Sequence, residues 1–352
     1  MGDLICLSMR ILFYLQISMS LSVCISHKED VDGISAAALI KAAFKIKCVL
    51  LVDYSNLIPS LEKLATSNGA QQRTERVFLC DLGLSKRNEQ KFVDILGTII
   101  SNGSKVTYID HHELRPEIAT ALRKMGVMLV HTVDECTSVQ IYSKFKKKLK
   151  TQAAFFAAAG ALTDYMENRP IASSIVSRFD RQFLMLEATA LSYMISANQH
   201  NNEFLSKIVD SLADMKYPHE IEGGFSIVEK QAQKISNAIK KIEESIIKID
   251  NLAYMQSNLD LSANMVVNSV LGISDRAVAM VYKLKDDVNC YIISVRGSKD
   301  CKVHLGRLIN DIASEMGGSG GGHDKACGAV IPKEKLEEFI RRVDKGIAAS
   351  DR

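Results

Sequence analysis

Carboxylates and imidazoles in this chain recur at the ends of apolar runs. Asp110-His111-His112 closes the run Val106-Thr-Tyr-Ile109, and Asp81 closes Val77-Phe-Leu-Cys80. Upstream stands the acidic loop His27-Lys-Glu-Asp30-Val-Asp32-Gly33, and downstream Asp164 ends Gly160-Ala-Leu-Thr-Asp164. Repeated placement of such groups after hydrophobic segments predicts a sheet whose strand ends converge on one metal-binding crevice. Carboxylate oxygens with a minority of imidazole nitrogens suit manganese or magnesium, whereas thiolates would point to zinc or iron–sulfur.

The spacing within the loop refines this reading. One residue separates Asp30 from Asp32, so an extended loop would send both side chains to the same face. They could then ligate two neighbouring ions, with a single carboxylate such as Asp81 bridging. Two ions roughly 3.5–4 Å apart activate a water and stabilise the charge of a phosphoryl transition state. Taken singly, each Asp reads as a turn residue or helix cap.

A second glycine-rich element lies far downstream. Five of the six residues from Gly317 to Gly322 are glycine, which lets backbone amides approach an anion without side-chain obstruction. His323 follows as a further donor. Arg296, at the end of the apolar run Val288–Val295, is a fork suited to a phosphate.

The elements that must carry these groups are legible. Leu21–Ile25 reads as the strand delivering His27, and Ile34–Phe44 as an alanine-rich helix. Strands alternate with helices from Leu21 to about Tyr165, the pattern of a parallel sheet covered on both faces. Helical sequence follows from Ser173 to about Lys216, then Tyr217-Pro218 and Gly223-Gly224 punctuate the chain. Phe225–Lys248 has apolar residues at helical spacing and reads as a connecting helix. A smaller mixed α/β domain follows, with strands near Leu252–Gln256, Val278–Lys283 and Asn289–Val295. Its last helix, from Lys333 to about Lys345, is opened by Pro332. The expected boundaries are an appendage or upstream start over 1–19, a catalytic domain over 20–218, a connecting helix over 219–248 and a substrate-binding domain over 249–352.

With four ordered acidic motifs and Gly320-Gly321-Gly322-His323, the chain resembles the DHH phosphoesterase superfamily, also called RecJ-like. The compact two-domain length is similar to its nano-RNase or oligoribonuclease type, with the DHH-associated C-terminal domain. The resemblance implies an active site in the cleft between the domains and a cofactor of two divalent ions, manganese or else magnesium. It implies that His27, Asp30 and Asp81 hold one ion. Asp32, Asp81, His111 and Asp164 would hold the other, with Asp81 bridging. Asp110 would orient the imidazoles, His112 would face the substrate phosphate, and Arg296 and His323 would hold nucleotide phosphates. One more residue separates the first His and Asp in some branches than separates His27 and Asp30 here, and Cys327 stands where alanine is usual. The activity implied is a manganese-dependent phosphodiesterase or exonuclease acting on short single-stranded oligonucleotides or related nucleotides. Alternatives are a cyclic-dinucleotide or 3′-phosphoadenosine phosphate phosphohydrolase, and a non-catalytic nucleic-acid-binding partner of a replication or repair complex.

Composition excludes other classes. A net charge of +3 over 352 residues is too small for a protein that coats duplexes. Tryptophan is absent and aromatics make up 6%, so a long stacking platform for single strands is not evident. Lys144-Phe-Lys-Lys-Lys-Leu-Lys150 is basic but continues a helix starting near Ser138, and reads first as a solvated helix face. The eight cysteines are scattered without CxxC pairing, which fits a reducing compartment. Near the N-terminus, Ile11–Ser26 supplies 16 uncharged residues, short of the ~20 needed to span a bilayer. Residues before about Ser20 therefore read as an appendage or an upstream start, with Met19 as initiator. A cytoplasmic protein without an integral membrane span is expected, and the sequence leaves a homodimer open.

Overall fold

The computed structural model describes residues 22–67 and 74–349, so the appendage expected before Ser20 lies outside the described residues. The chain divides into two compact units, one through Glu229 and one from Lys230.

The first unit is built on five parallel strands: β1 (Ser22–His27), β2 (Cys48–Val52), β3 (Arg76–Cys80), β4 (Lys105–Asp110) and β5 (Met128–His131). Their order is β2-β1-β3-β4-β5. Val23, Cys24 and Ile25 of β1 are all fully buried, as befits a central strand covered on both faces. Between the strands run α1 (Val31–Phe44), α2 (Tyr54–Ser67), α3 (Glu89–Ser101) and α4 (Pro116–Lys124). After β5 come α5 (Thr137–Phe145), α6 (Ala153–Thr163), α7 (Pro170–Val176), α8 (Arg181–Ala197) and α9 (Asn202–Ala213). Alternate strand residues serve different faces. Val23, Ile25, Val77, Leu79 and Tyr108 pack with α2, α3 and α4. Cys24, Phe78, Cys80 and Ile109 pack with α1, α5, α6, α8 and α9. Helices α1 and α6 are the most enclosed, which is why their sequences, AAALI and AAFFAAAGALT, are apolar on every side.

This order places β1 and β3 side by side although β2 lies between them in sequence. The chain therefore leaves β1 towards one edge and returns beyond it. That reversal opens a crevice at the carboxyl ends of β1 and β3, where ligands bind in open parallel sheets.

Helix α10 (Gly224–Ser245) contains the boundary between the units. The second unit holds β6 (Ile247–Lys248), β7 (Leu252–Gln256), α11 (Ala263–Ser274), β8 (Val278–Lys285), β9 (Cys290–Gly297), α12 (Leu305–Glu315), β10 (Ser319–Gly322), β11 (Ala326–Pro332) and α13 (Leu336–Ala349). Its six-stranded sheet has the order β10-β11-β9-β8-β7-β6, and only β7 and β8 pair in parallel. The expected α/β architecture, a parallel sheet with helices on both faces plus a smaller mixed domain, is what the chain adopts. Two local readings change. The glycine-rich stretch is not an open loop, because Ser319–Gly322 forms an edge strand paired with β11. Pro332 opens a short 3-10 turn over Lys333–Lys335 before the last helix starts at Leu336.

Candidate metal centre

The crevice at the end of β1 and β3 gathers the acidic motifs. Two groups of donor atoms lie within 4.8 Å of one another: Asp81 with His111 and His112, and Asp32 with His111 and Asp164. His111 belongs to both, its Nε2 3.3 Å from Asp81 Oδ1 and 3.4 Å from Asp164 Oδ2.

Each side chain arrives by a different local device. Asp81 directly follows β3 and adopts left-handed backbone, φ 58°, while its N–H donates to Ile109 O at 3.0 Å. A non-glycine residue in that region is strained, and such strain concentrates at functional sites. His111 and His112 follow β4. Asp164 differs: it is the C-terminal cap of α6, its N–H donating to Gly160 O, so a helix end and not a strand end supplies it. The apolar run before it is helical because it is alanine-rich and packs among helices.

Asp30 and Asp32 also correct the sequence reading. Asp30 is the N-cap of α1, its carboxylate accepting from Gly33 N at 2.8 Å, and Asp32 already lies within the first helical turn. The segment is helical from Val31 and not an extended loop, and the two carboxylates have different partners. Asp30 Oδ2 lies 3.4 Å from His27 Nε2. Asp32, fully buried, accepts from Thr137 N at 2.7 Å and Ser138 N at 2.9 Å, the first amides of α5. It therefore caps that helix from another segment of the chain while facing His111 and Asp164. His27 and Asp30 pair with each other but join neither three-residue group.

Asp110 organises His112. Its carboxylate accepts from Leu82 N at 3.0 Å, from the Tyr108 hydroxyl at 3.2 Å and from His112 N at 3.2 Å, and stands 3.0 Å from His112 Nδ1. A buried carboxylate held this way fixes the ring and its tautomer. Several neighbours escaped the sequence reading. The Tyr54 ring stacks on His27 with centroids 4.6 Å apart, and its hydroxyl lies 3.2 Å from His112 Nε2. Thr137 Oγ1 donates to Asp81 Oδ1 at 3.1 Å. Tyr54 stands just beyond the end of β2, so the rule that found Asp81 could have found it. Nothing in the sequence marks Thr137 or Ser138. Close approach dictates two glycines: a Cβ at Gly83 would lie 2.8 Å from His112 Cγ, and one at Gly160 would overlap Ser138 Oγ and lie 2.7 Å from Asp32 Oδ1.

The electrostatics follow from crowding acids in a buried crevice. Burial, then the charges of Asp32 and Asp30, push Asp164 up to about 8. Burial and the charges of Asp30, Asp32 and Asp110 raise Asp81 well above the usual carboxylate range. Burial acts to lower His112, but the Asp110 hydrogen bond and the charges of Asp110 and Asp81 prevail and raise it. Converging carboxylates that resist ionisation together call for cationic charge among them. His27 Nδ1, buried and without a hydrogen-bond partner, is a further unsatisfied donor atom. The oxygen-rich set with imidazoles fits hard divalent ions such as manganese or magnesium.

In the second unit, Arg296 lies within β9 opposite Ala326, and the His323 amide donates to Ala326 O at 2.8 Å. The register thus brings Arg296 and the glycine hairpin together. Its guanidinium donates to Asn264 Oδ1 at 2.8 Å and to Val295 O at 2.9 Å, and His323 is exposed. Gly320 and Gly322 are required by packing: a Cβ would lie 3.0 Å from Ile309 O and 2.6 Å from Ala326 O respectively. Gly321, at φ 154°, has open space where a Cβ would stand, as does Gly317 at φ 77°, so within the strand itself the bare backbone expected at an anion site is found at Gly321.

Comparison with known proteins agrees with this construction. Residues 253–349 match the DHHA1 domain. An uncharacterised protein of Methanocaldococcus jannaschii is 29% identical over 177 residues, which cover 49% of this chain and 38% of that protein. Among solved structures, the pGpG-specific phosphodiesterase PggH of Vibrio cholerae matches with a TM-score of 0.60 at 13% identity, over 94% of this chain and 99% of its own. RecJ of Thermus thermophilus, in complex with Mn2+, matches with 0.55 at 14%, over 93% and 52%. At these identities the structural likeness is one of fold. Residues 253–349 thus form a DHHA1 domain, and the chain as a whole shares the fold of these two phosphoesterase structures. Among the described residues, no helix is long and apolar enough to cross a membrane.

Proposed function

We propose that the protein is a manganese-dependent phosphodiesterase that removes nucleotides from short oligonucleotides or hydrolyses a related nucleotide ester. The observation that carries this reading is the convergence of Asp32, Asp81, His111, His112 and Asp164 into two donor groups sharing His111. Bound there, two divalent ions would activate a water and neutralise charge on the scissile phosphate. Asp32, Asp81, His111 and Asp164 would hold one ion, and Asp81 with His27 and Asp30 the other. The short distance from Asp81 to His112 makes that imidazole a further candidate ligand as well as a phosphate donor.

The chain's own residues then have definite tasks. Asp110 keeps the His112 ring fixed through Nδ1, which leaves Nε2 to meet a phosphate oxygen or leaving group. Tyr54 occupies that Nε2 in the structure and must yield it to substrate. Arg296, His323 and the open backbone at Gly321 would bind a substrate phosphate. Intact donors at every expected position weigh against a non-catalytic role. The test is hydrolysis with manganese of dinucleotides, longer single strands, cyclic dinucleotides and phosphoadenosine phosphate. Folded, manganese-bound protein that turns over none of them refutes the proposal.

A further inference from the structure

The lysine run over 144–150 is not absorbed by the metal centre, and the fold gives it company that the sequence hides. Phe145, at the end of α5, packs edge-on against Phe44, at the end of α1, with ring centroids 5.0 Å apart. Lys148 Nζ sits 5.5 Å from the centroid of that Phe44 ring. Two segments a hundred residues apart are thus joined, and Lys45 and Lys47 come beside Lys144, Lys146, Lys147, Lys148 and Lys150. All seven are exposed. Among the described residues none of them makes an ion pair, while nearby Lys41 is taken by Asp210 of α9. No Asp or Glu occurs from Gly33 to Val52 or from Cys136 to Thr163, so neither segment carries an acid of its own to offset its lysines.

The chemistry of the surface narrows its partner. Protein interfaces are depleted of lysine and centred on aromatic or arginine anchors, and this surface offers lysine alone. No large apolar side chain is exposed along either segment, so there is nothing to insert into a lipid headgroup region. Flexible point charges without base-reading groups suit a phosphate backbone. The placement adds a direction. Helices α1 and α5 each begin at the metal centre, with Asp32 and with Thr137 and Ser138, and end at the lysines. At about 1.5 Å per residue, their 14 and 9 residues set the two places roughly 13–21 Å apart.

We propose that this lysine surface binds the phosphate backbone of a single-stranded nucleic acid whose end is hydrolysed at the metal centre of the same unit. The hydrolysis half rests on the phosphodiesterase reading; the binding half does not. Substrates of two nucleotides are too short to reach from one place to the other, so the surface acts on longer strands only.

The experiment measures binding of the full chain, with manganese, to a nuclease-resistant phosphorothioate oligonucleotide of about a dozen residues at several salt concentrations. One variant carries Lys146→Glu, Lys147→Glu and Lys148→Glu. A second, on the other segment, carries Lys45→Asn, which tolerates the left-handed backbone there, and Lys47→Glu. Each should bind at least about tenfold more weakly, and the triple variant should lose about two from its salt slope, at roughly 0.7 per phosphate contact on single strands. Both should hydrolyse a dinucleotide at the wild-type rate. Unchanged oligonucleotide affinity in both variants overturns the proposal, as does binding to anionic phosphatidylserine vesicles in place of the oligonucleotide. If no form hydrolyses any substrate, the phosphodiesterase reading fails while the binding result still decides the lysine surface.

Discussion

Gly160→Ala is the sharpest probe of how the metal centre is assembled. An alanine Cβ there would overlap Ser138 Oγ and lie 2.7 Å from Asp32 Oδ1 and 3.3 Å from Asp32 Cα. Ser138 can rotate its hydroxyl away, but Asp32 cannot easily move. Its two oxygens are held by Thr137 N at 2.7 Å and Ser138 N at 2.9 Å in a fully buried setting. Relief therefore costs a charge-assisted hydrogen bond, about 1.5–3 kcal/mol, or a helix displacement of the overpacking kind, about 1–3 kcal/mol. Alanine recovers about 1 kcal/mol of helix propensity over glycine. The net expectation is a loss of about 1–2 kcal/mol, or a fall in Tm of roughly 2–8 °C. Because Asp32 must turn, manganese binding should weaken about tenfold or more, as when a ligand-orienting contact is lost. Gly97→Ala supplies the control. In α3 its Cβ would meet only Met125 Sδ, at 3.8 Å, so this variant should gain up to about 1 kcal/mol and bind manganese unchanged. Thermal melts and titration calorimetry read both variants. A Gly160→Ala protein that melts like Gly97→Ala and keeps full manganese affinity would refute the reasoning.

Three further outcomes follow from the same geometry. Asp81→Asn should lose turnover by orders of magnitude, since it removes a charge shared by the donor groups, yet the metal-free protein should melt no lower because asparagine tolerates the left-handed backbone; near-normal turnover in folded protein would sink the assignment. Metal-free protein should lose stability with rising pH: Asp164 is pushed from near 3.8 to about 8, so its contribution is whole below about pH 4 and gone above about pH 8. That window carries on the order of a few kcal/mol, and a stability–pH curve that Asp164→Asn fails to flatten would contradict it. Arg296→Ala should raise KM, with a loss of about 1.5–3 kcal/mol that is larger for substrates bearing a second phosphate than for a chromogenic monoester. Bound manganese, measured on the same preparation, should not change; equal losses on both substrates would show that Arg296 meets no phosphate.

Where about half of the strands fall, and which acids follow them, could be read before any coordinates, but not the order of the strands in either sheet. Apolar runs of period-two or continuous character make buried parallel strands, and the ends of β3 and β4 fell where Asp81 and Asp110 said they should. Asp164 was legible as a donor but not as a helix cap, because an alanine-rich apolar run is compatible with either a buried strand or a buried helix until its neighbours are known. Asp30 and Asp32 were legible as a pair, yet helix formation at Val31 gave them different partners, Gly33 N for one and the amides of Thr137 and Ser138 for the other, an outcome decided by capping and by the cradle under Gly33. A Cβ there would lie 2.5 Å from His27 O.

What the sequence determined by itself was chemistry and order: which donors exist, which follow apolar segments, and that two folding units share the chain. What only the tertiary structure decided was company across long separations. Asp32 meets the amides of Thr137 and Ser138, Tyr54 meets His112, and Phe44 meets Phe145, each pairing set by how helices pack on a twisted sheet. Local propensity carries no information about such partners, because they depend on the register of distant elements. The glycines of the hairpin make the same point. Their abundance read as freedom for an anion, yet the packing of α12 and β11 claims Gly318, Gly320 and Gly322 and leaves open space at Gly317 and Gly321.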